Sequence, residues 1–451
     1  MLRRQLSTVS RYSFKVLQLR QLSTTDSFST IIDPHCDPSL PLKLNFAQIS
    51  SAAYNIKSGI QRTECRRSFK LSHAVGSNVH LKMELNQATG SFKERGARQA
   101  LLRLTDEQKK AGVWAASAGN HALALCYHGK KLGIPINVVM PRFAPLMKID
   151  YCVKFGANVI VEGKDITVSR GIALKSAIEF GAVYINGYDH IDILAGAGTI
   201  GLELLDQVND LDAVIIPVGG GGLIAGIGVA IKTLYPKIQI IGVESETCPS
   251  FTKSLEAGIP TITKCLPSLA DGLAVPLVGV NAFYTAKECV DKMVQVNEQS
   301  IALAILRLIE WEKVCVEGAG ATGIAALMSG QLPELKGKRV ATILSGGNID
   351  STALGRCIDR GLVYDDRLIR FKVIVSDRPG GISELAKIIA DTGASIKDMF
   401  MERAWANVFS VNVKVVAETR NKEHVEELEK LLRSRYEDVC FTQFEHYLVR
   451  H

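Results

Sequence analysis

Lys93 stands in Thr89-Gly90-Ser91-Phe92-Lys93-Glu94-Arg95-Gly96-Ala97, after an alternating apolar stretch, Val79 to Leu85. That alternation predicts a strand, and Gly96 to Leu102 predicts a helix with Thr89 or Ser91 as its cap. A lysine at a helix N-terminus meets unpaired N–H groups and the positive end of the helix dipole, which disfavour its ammonium. Burial lowers its proton affinity further, and an amine that loses its proton easily can form a Schiff base. Beside Glu94 it could equally be a solvated lysine, so the rest of the chain must decide.

Three turns add candidate chemistry. Gly219-Gly220-Gly221-Gly222-Leu223 follows the apolar stretch Asp212 to Val218. Glycines let backbone N–H groups converge on an anion, and a helix start adds partial positive charge, so a phosphate fits. The stretch also matches a dinucleotide fingerprint, Gly220-x-Gly222-x-x-Ala225, with Glu244 ending the next strand. The motif alone supports either ligand. Ser117-Ala118-Gly119-Asn120-His121 is a second strand-end turn, able to hold a carboxylate on its N–H groups and to offer the Asn120 amide to a phenolic oxygen. Ser345-Gly346-Gly347-Asn348 is the third. With Lys93 they would converge at the carboxyl edge of one sheet. A nicotinamide enzyme has no evident use for the lysine, and the nine histidines show no metal-ligand spacing.

The elements that must position these groups alternate from about residue 31 to 355. Short apolar strands (113–116, 136–140, 159–161, 182–185, 212–218, 238–244, 340–344) are separated by amphipathic or Gly/Ala-rich helices. Continuous apolar strands with helices between them predict a mostly parallel sheet covered on both faces, an α/β fold. The pattern stops around 356–366. Beyond it, strands at 369–375, 394–402 and 407–416, helices at 382–392 and 422–436, and a closing strand at Tyr447-Leu448-Val449 predict a βαββαβ unit over 367–451.

The net charge is +7, but Arg3, Arg4, Arg11, Lys15 and Arg20 precede the first acid, Asp26, and removing them leaves +2. The body is near neutral, which argues against a nucleic-acid footprint. The ten cysteines include no C-x-x-C pair, so free thiols in a reducing compartment are expected. Ala213 to Ile231 is uncharged and contains Gly222-x-x-x-Gly226, but Pro217 and the glycine run divide it, so it reads as strand, loop and helix rather than a membrane span. Residues 1–30 are rich in Arg, Ser and Leu, the composition of a mitochondrial transit peptide or a basic tail; targeting is the preferred reading, and otherwise the protein would be cytoplasmic.

Taken together, S-F-K-E-R-G-A, S-A-G-N-H-A, G-G-G-G-L-I-A-G, Ala270-Asp271-Gly272 and S-G-G-N, in order over about 40–355, resemble the pyridoxal-phosphate-dependent threonine/serine dehydratase family of fold type II. The resemblance implies two open, mostly parallel sheets: a large domain over about 31–111 and 190–355 and a small one over about 112–189. It implies that Lys93 carries the cofactor as a Schiff base and that Phe92 lies against the ring. Gly219, Gly220, Gly221, Gly222 and Leu223 would cup the phosphate, Asn120 would bond the ring hydroxyl, and Ser345 would meet the pyridine nitrogen. A serine partner leaves that nitrogen neutral and the ring a weaker electron sink, favouring quick loss of a β-hydroxyl. Ser117, Ala118, Gly119, Asn120 and His121 would bind the substrate, and the free Lys93 amine would take its Cα proton.

The implied reaction is β-elimination from L-threonine or L-serine to 2-oxobutanoate or pyruvate and ammonia. Ala118 stands where the related serine racemases carry a serine as second proton donor, so racemisation should be weak. Glu244, with Ser250 six residues on, matches the family's cation site, and its low charge suggests potassium. Thr63-Glu64-Cys65, Leu123-Ala124 and Ala197 depart from the family pattern without removing a cofactor contact. The tail, with D-R-P-G-G-I-S-E-L from Asp377, is similar to ACT-type regulatory domains. That implies an amino-acid effector and a homo-oligomer. The competing readings are a nicotinamide-dependent oxidoreductase, a serine racemase-like enzyme and an inactive amino-acid-sensing scaffold.

Overall fold

The computed structural model describes residues 31–442. The first two strands, β1 (Cys65–Arg67) and β2 (Asn78–Lys82), begin a six-stranded sheet. The chain then builds a four-stranded parallel sheet from β3 (Val113–Ala116), β4 (Ile136–Met140), β5 (Asn158–Val161) and β6 (Val183–Tyr184), ordered β5-β4-β3-β6. It returns to complete the first sheet with β7 (Ala213–Pro217), β8 (Gln239–Ser245), β9 (Lys292–Val296) and β10 (Arg339–Ile343). The order there is β1-β2-β10-β7-β8-β9, parallel except for β1. The expected two-sheet α/β architecture is thus observed. The apolar and alternating patterns marked the central strands but not the edge strands β1 and β9, where Arg66, Arg67, Lys292 and Gln295 dilute the signal.

The core explains the continuous apolar runs. Along β7, Val214 and Ile216 pack with one set of helices, including Ile191–Gln207 and Gly222–Leu234. Ala213 and Ile215 face the opposite core, formed with Glu298–Arg307 and Gly318–Met328. A strand covered on both faces needs apolar residues at every position. The Ala213–Ile231 stretch is β7, the glycine turn and the start of the helix after it, as expected. The Gly222-x-x-x-Gly226 pattern serves soluble helix packing: a Cβ on Gly226 would lie 2.4 Å from the Leu194 carbonyl oxygen of the neighbouring helix. Among the described residues no helix is long and apolar enough to cross a membrane.

The tail is an antiparallel sheet of β11 (Leu368–Ser376), β12 (Ser395–Glu402), β13 (Ser410–Glu418) and β14 (Val439–Phe441), ordered β12-β13-β11-β14. Helices Gly381–Asp391 and Lys422–Arg435 bury Leu385, Ile389, Leu428 and Leu432 against its inner valines. The βαββαβ order is present, but β14 closes it; Tyr447–Val449 and the proposed transit segment lie outside the described residues. Residues 351–364 are a helix rather than an irregular break, with Asp350 capping Thr352 and Ala353. One expectation about thiols is corrected: Cys248 and Cys265 are joined across the segment that holds the helix Ser250–Ala257, with their Cα atoms at 4.5 Å, and the other eight cysteines are free.

Candidate active site

The turns do meet, but across two sheets rather than at the edge of one. Lys93 and the turns at 219–222 and 345–348 lie at the carboxyl edge of β2, β7 and β10, whereas Ser117–His121 follows β3 of the four-stranded sheet and reaches them through Asn120 and Asn348. Lys93 begins the helix Lys93–Leu102, and its N-cap is Phe92, not Thr89 or Ser91. The predicted caps fail because the turn is tied elsewhere. The backbone N–H of Phe92 donates to the Ser345 carbonyl (3.0 Å), Ser91 bridges Gly346, and the hydroxyls of Thr89 and Ser91 are buried without a protein partner. The flanking residues are locked in place. Glu94 accepts the Thr89 N–H and a hydrogen bond from His128 Nε2 at 3.1 Å; burial holds that imidazole below its ordinary pKa, so it donates as the neutral ring. Arg95 is fully buried between Glu84 and Glu203.

The Lys93 amine donates to the Gly187 carbonyl. It lies 5.1 Å from the centre of the Phe92 ring. Burial lowers its pKa to about 8, against a smaller opposing pull from the Glu317 carboxylate. The next residue, Tyr188, supports the glycine turn. A Cβ on Gly222 would lie 2.6 Å from the Tyr188 carbonyl oxygen, so only glycine lets the two segments close. Gly221 is left-handed at φ +92° and is the N-cap of Gly222–Leu234 with no side chain capping it. The first N–H groups of that helix therefore have no intrahelical or side-chain acceptor.

Asn120 begins the helix Asn120–Leu132. Its Nδ2 donates to Glu317 Oε1 (2.8 Å) and Oε2 (3.0 Å), and its Oδ1 accepts from Asn348 Nδ2 (2.9 Å). Ser117 Oγ accepts from the Gly119 N–H at 3.2 Å. His121 donates from Nε2 to the Ile185 carbonyl, and burial pushes its pKa down to about 3, so it is neutral. Ser345 is buried at the end of β10. Ala118 has no polar side-chain atom to offer in this turn. Glu317 was missed from the sequence; its only signal was an acid directly before the Gly/Ala-rich run Gly318–Ala321.

The proposed cation residues lie behind the glycine turn, where a Cβ on Gly221 would come within 3.2 Å of the Phe251 ring. Glu244 accepts from the N–H groups of Phe251 (2.7 Å) and Thr252 (3.0 Å) and from Thr252 Oγ1 (2.6 Å), so it caps the helix Ser250–Ala257. Ser250 Oγ is buried without a protein partner. No cluster of three or more His, Cys, Asp or Glu side chains suited to a metal is found among the described residues.

Residues 56–346 match the family described as pyridoxal-phosphate dependent enzyme. The chain belongs to that family. Among its relatives, an L-threonine ammonia-lyase of Thermotoga maritima is 42% identical over 86% of this chain and 97% of its own length. Another, of Geobacter sulfurreducens, is 38% identical over 85% and 96%. The fold resembles a threonine deaminase isoform 2 from Solanum lycopersicum (TM-score 0.66, 32% identity, 73% of this chain and 98% of that one). It equally resembles a maize serine racemase (TM-score 0.66, 32% identity, 72% and 99%).

The residues present fit pyridoxal phosphate, the cofactor of the family. The uncapped helix start behind Gly219–Gly222 suits a phosphate dianion. The Lys93 amine, at about 8, is readily neutral. A family member with this cofactor is not a nicotinamide oxidoreductase. Glu244, the acid that completed the dinucleotide fingerprint, is held as a helix cap.

Proposed function

We propose that this chain is an L-threonine ammonia-lyase, converting L-threonine to 2-oxobutanoate and ammonia, with L-serine giving pyruvate by the same route. The observation that carries the reading is the buried Lys93 amine, held at Gly187 beside the glycine turn. The 42% identity to an L-threonine ammonia-lyase supports the substrate.

The cofactor supplies the electron sink that makes the substrate Cα–H acidic. The chain supplies the rest. Lys93 would be the attachment point, and its free Nζ would take the substrate's Cα proton, a step worth roughly 10²–10⁴-fold. The glycine turn from Gly219 to Leu223 would hold the phosphate, Phe92 would lie against the ring, Asn120 would donate to the ring hydroxyl and Ser345 would meet the ring nitrogen. The Ser117–His121 turn holds the substrate carboxylate on its N–H groups. Loss of the β-hydroxyl leaves an enamine that water hydrolyses after release.

Serine racemases share the fold, and Ala118 is the residue that separates the readings, because its methyl cannot give a proton to the opposite face of Cα. The test is oxo-acid and ammonia release by the purified protein with pyridoxal phosphate, comparing L-threonine, L-serine and D-serine, with Lys93→Ala as control. Turnover of an L-substrate should fall at least about 10²-fold in the variant. D-serine formation as fast as elimination would move the assignment to a racemase.

The tail is proposed to be an ACT-like regulatory domain that binds an amino acid at the Asp377–Gly381 turn. The helix Gly381–Asp391 starts there without a side-chain cap. A homo-oligomer is proposed as well. Trp405, Val408 and Phe409 are exposed apolar residues between β12 and β13, and sedimentation showing a monomer at working concentration would count against it. Mitochondrial targeting by residues 1–30 and a potassium ion at Glu244 remain proposals, tested by the location of the tagged full chain and by a potassium-dependent melting temperature.

A further inference from the structure

Glu317 occupies a position where an acid ordinarily caps a helix. It is the N-cap residue of Gly318–Met328, yet its side chain accepts no hydrogen bond from that helix. Both carboxylate oxygens are turned to Asn120 Nδ2 instead. Asn348 fixes the same amide from its other end, because its Nδ2 donates to Asn120 Oδ1 (2.9 Å) and to the Thr89 carbonyl (2.7 Å). The oxygen and nitrogen of Asn120 therefore cannot exchange places without losing every one of these bonds. The backbone makes room for the arrangement. A Cβ on Gly346 would lie 2.3 Å from Glu317 Oε1 and 3.1 Å from Asn120 Nδ2, and the Gly346 carbonyl accepts the Glu317 N–H.

We propose that Glu317 is a positioning residue: its carboxylate fixes the Asn120 amide and places a negative charge beside the Lys93 amine. One proton of Asn120 Nδ2 is engaged by Glu317, and the second is left to donate to a ligand. Lys93 faces Glu317 and His121, which is neutral. Glu317 itself faces Lys93, Lys148 and Asp271 besides Asn120. Burial pushes its carboxyl pKa up, with Asp271 adding to that, while the Asn120 hydrogen bond, Lys148 and Lys93 oppose it. The anion in turn favours the protonated Lys93, so removing it should release the lysine's proton at lower pH.

The inference rests on Lys93 as the cofactor attachment residue, and its test needs no substrate. The full chain is stripped of cofactor, and the rate of pyridoxal phosphate uptake is followed against pH by the absorbance of the lysine-bound form. In the wild type the rate should rise through about pH 8 as Lys93 loses its proton. In Glu317→Gln, which keeps an oxygen for Asn120 but no charge, the midpoint should move down by roughly one pH unit. In Asn348→Ala the charge remains, so the midpoint should stay while equilibrium affinity for the cofactor falls about tenfold. Glu317→Asp should return the midpoint towards the wild type.

An unmoved midpoint in Glu317→Gln, or an unaltered affinity in Asn348→Ala, overturns the proposal. If the Gln variant does not fold, the Asn348→Ala affinity decides the positioning role. Failure of the wild type to take up the cofactor at any pH would instead sink the assignment of Lys93 itself.

Discussion

At the scale of single residues, reactivity here comes from where polar groups are denied water. Lys93 is an ordinary amine until burial lowers its pKa to about 8. His121, one residue past Asn120, is driven down to about 3 and cannot act as a cationic acid near neutrality. Gly221 makes the corresponding backbone demand. An alanine there would have to hold φ +92° with its Cβ 3.2 Å from the Phe251 ring. The left-handed strain alone is roughly 1–2 kcal/mol. Gly221→Ala should therefore weaken pyridoxal phosphate binding about tenfold, read by fluorescence titration; unchanged affinity would mean that the turn accommodates a side chain.

At the scale of elements, the helix that carries Lys93 is held by buried charge as much as by apolar packing. Arg95 forms a two-pronged pair with Glu84 (2.7 and 2.8 Å) and a second pair with Glu203 (2.7 and 2.8 Å), and Thr199 accepts a fifth bond at 3.1 Å. Lys82, at the end of β2, reaches the same Glu203 (2.6 Å) and the Thr63 carbonyl (2.7 Å). Thr63, where the family pattern is broken on its C-terminal side, is thereby an anchor of this network, since its hydroxyl also bonds Glu84. Truncating Arg95 would leave the buried Glu84 carboxylate without its main partner and Glu203, partly exposed, with Lys82 alone. Arg95→Ala should destabilise the protein by about 3–5 kcal/mol in urea unfolding. A loss below 1 kcal/mol would show that water enters and solvates the carboxylates.

At the scale of the whole molecule, the tail meets the catalytic part through a cluster of four charges. Arg307 pairs with Glu310 (2.9 Å) and with Asp365, and Arg367 pairs with Glu310 (2.6 Å) and Asp365 (3.4 Å). Glu310 lies in the wide turn Leu308–Glu312, six residues before Val316 leads into Glu317. A shift of Arg367 thus has a short route, through its ion pair with Glu310 and the chain that follows, to the residue that bonds Asn120. If an amino acid bound to the tail alters turnover, Arg367→Ala should reduce that response several-fold while basal turnover stays within about twofold. Kinetics that are flat across all amino acids, with and without residues 367–451, would remove the regulatory proposal.

The sequence by itself determined the fold class and, through the family resemblance, the cofactor, and it singled out Lys93 as the proposed attachment residue. They show in local patterns: runs that are apolar at every position make strands covered on both faces, and four glycines at a strand end make a turn able to take an anion, with the order of the family motifs deciding between ligands. It also determined the order of the tail elements; among the described residues the last strand is Val439–Phe441, and the expected strand at Tyr447–Val449 lies outside them. Only the tertiary structure decided what surrounds the lysine. Arg95 finds Glu203 across 108 residues, and Asn120 finds Glu317 across 197. The pairing of Cys248 with Cys265 depends on the chain folding back after the helix Ser250–Ala257, which no spacing rule announces. Glu244 lies near enough to the Ser250–Ala257 helix to cap it, which composition could not distinguish from a cation ligand. Charge partners are chosen by distance in space, because a buried ion must be compensated by whichever groups the packing brings within hydrogen-bond reach.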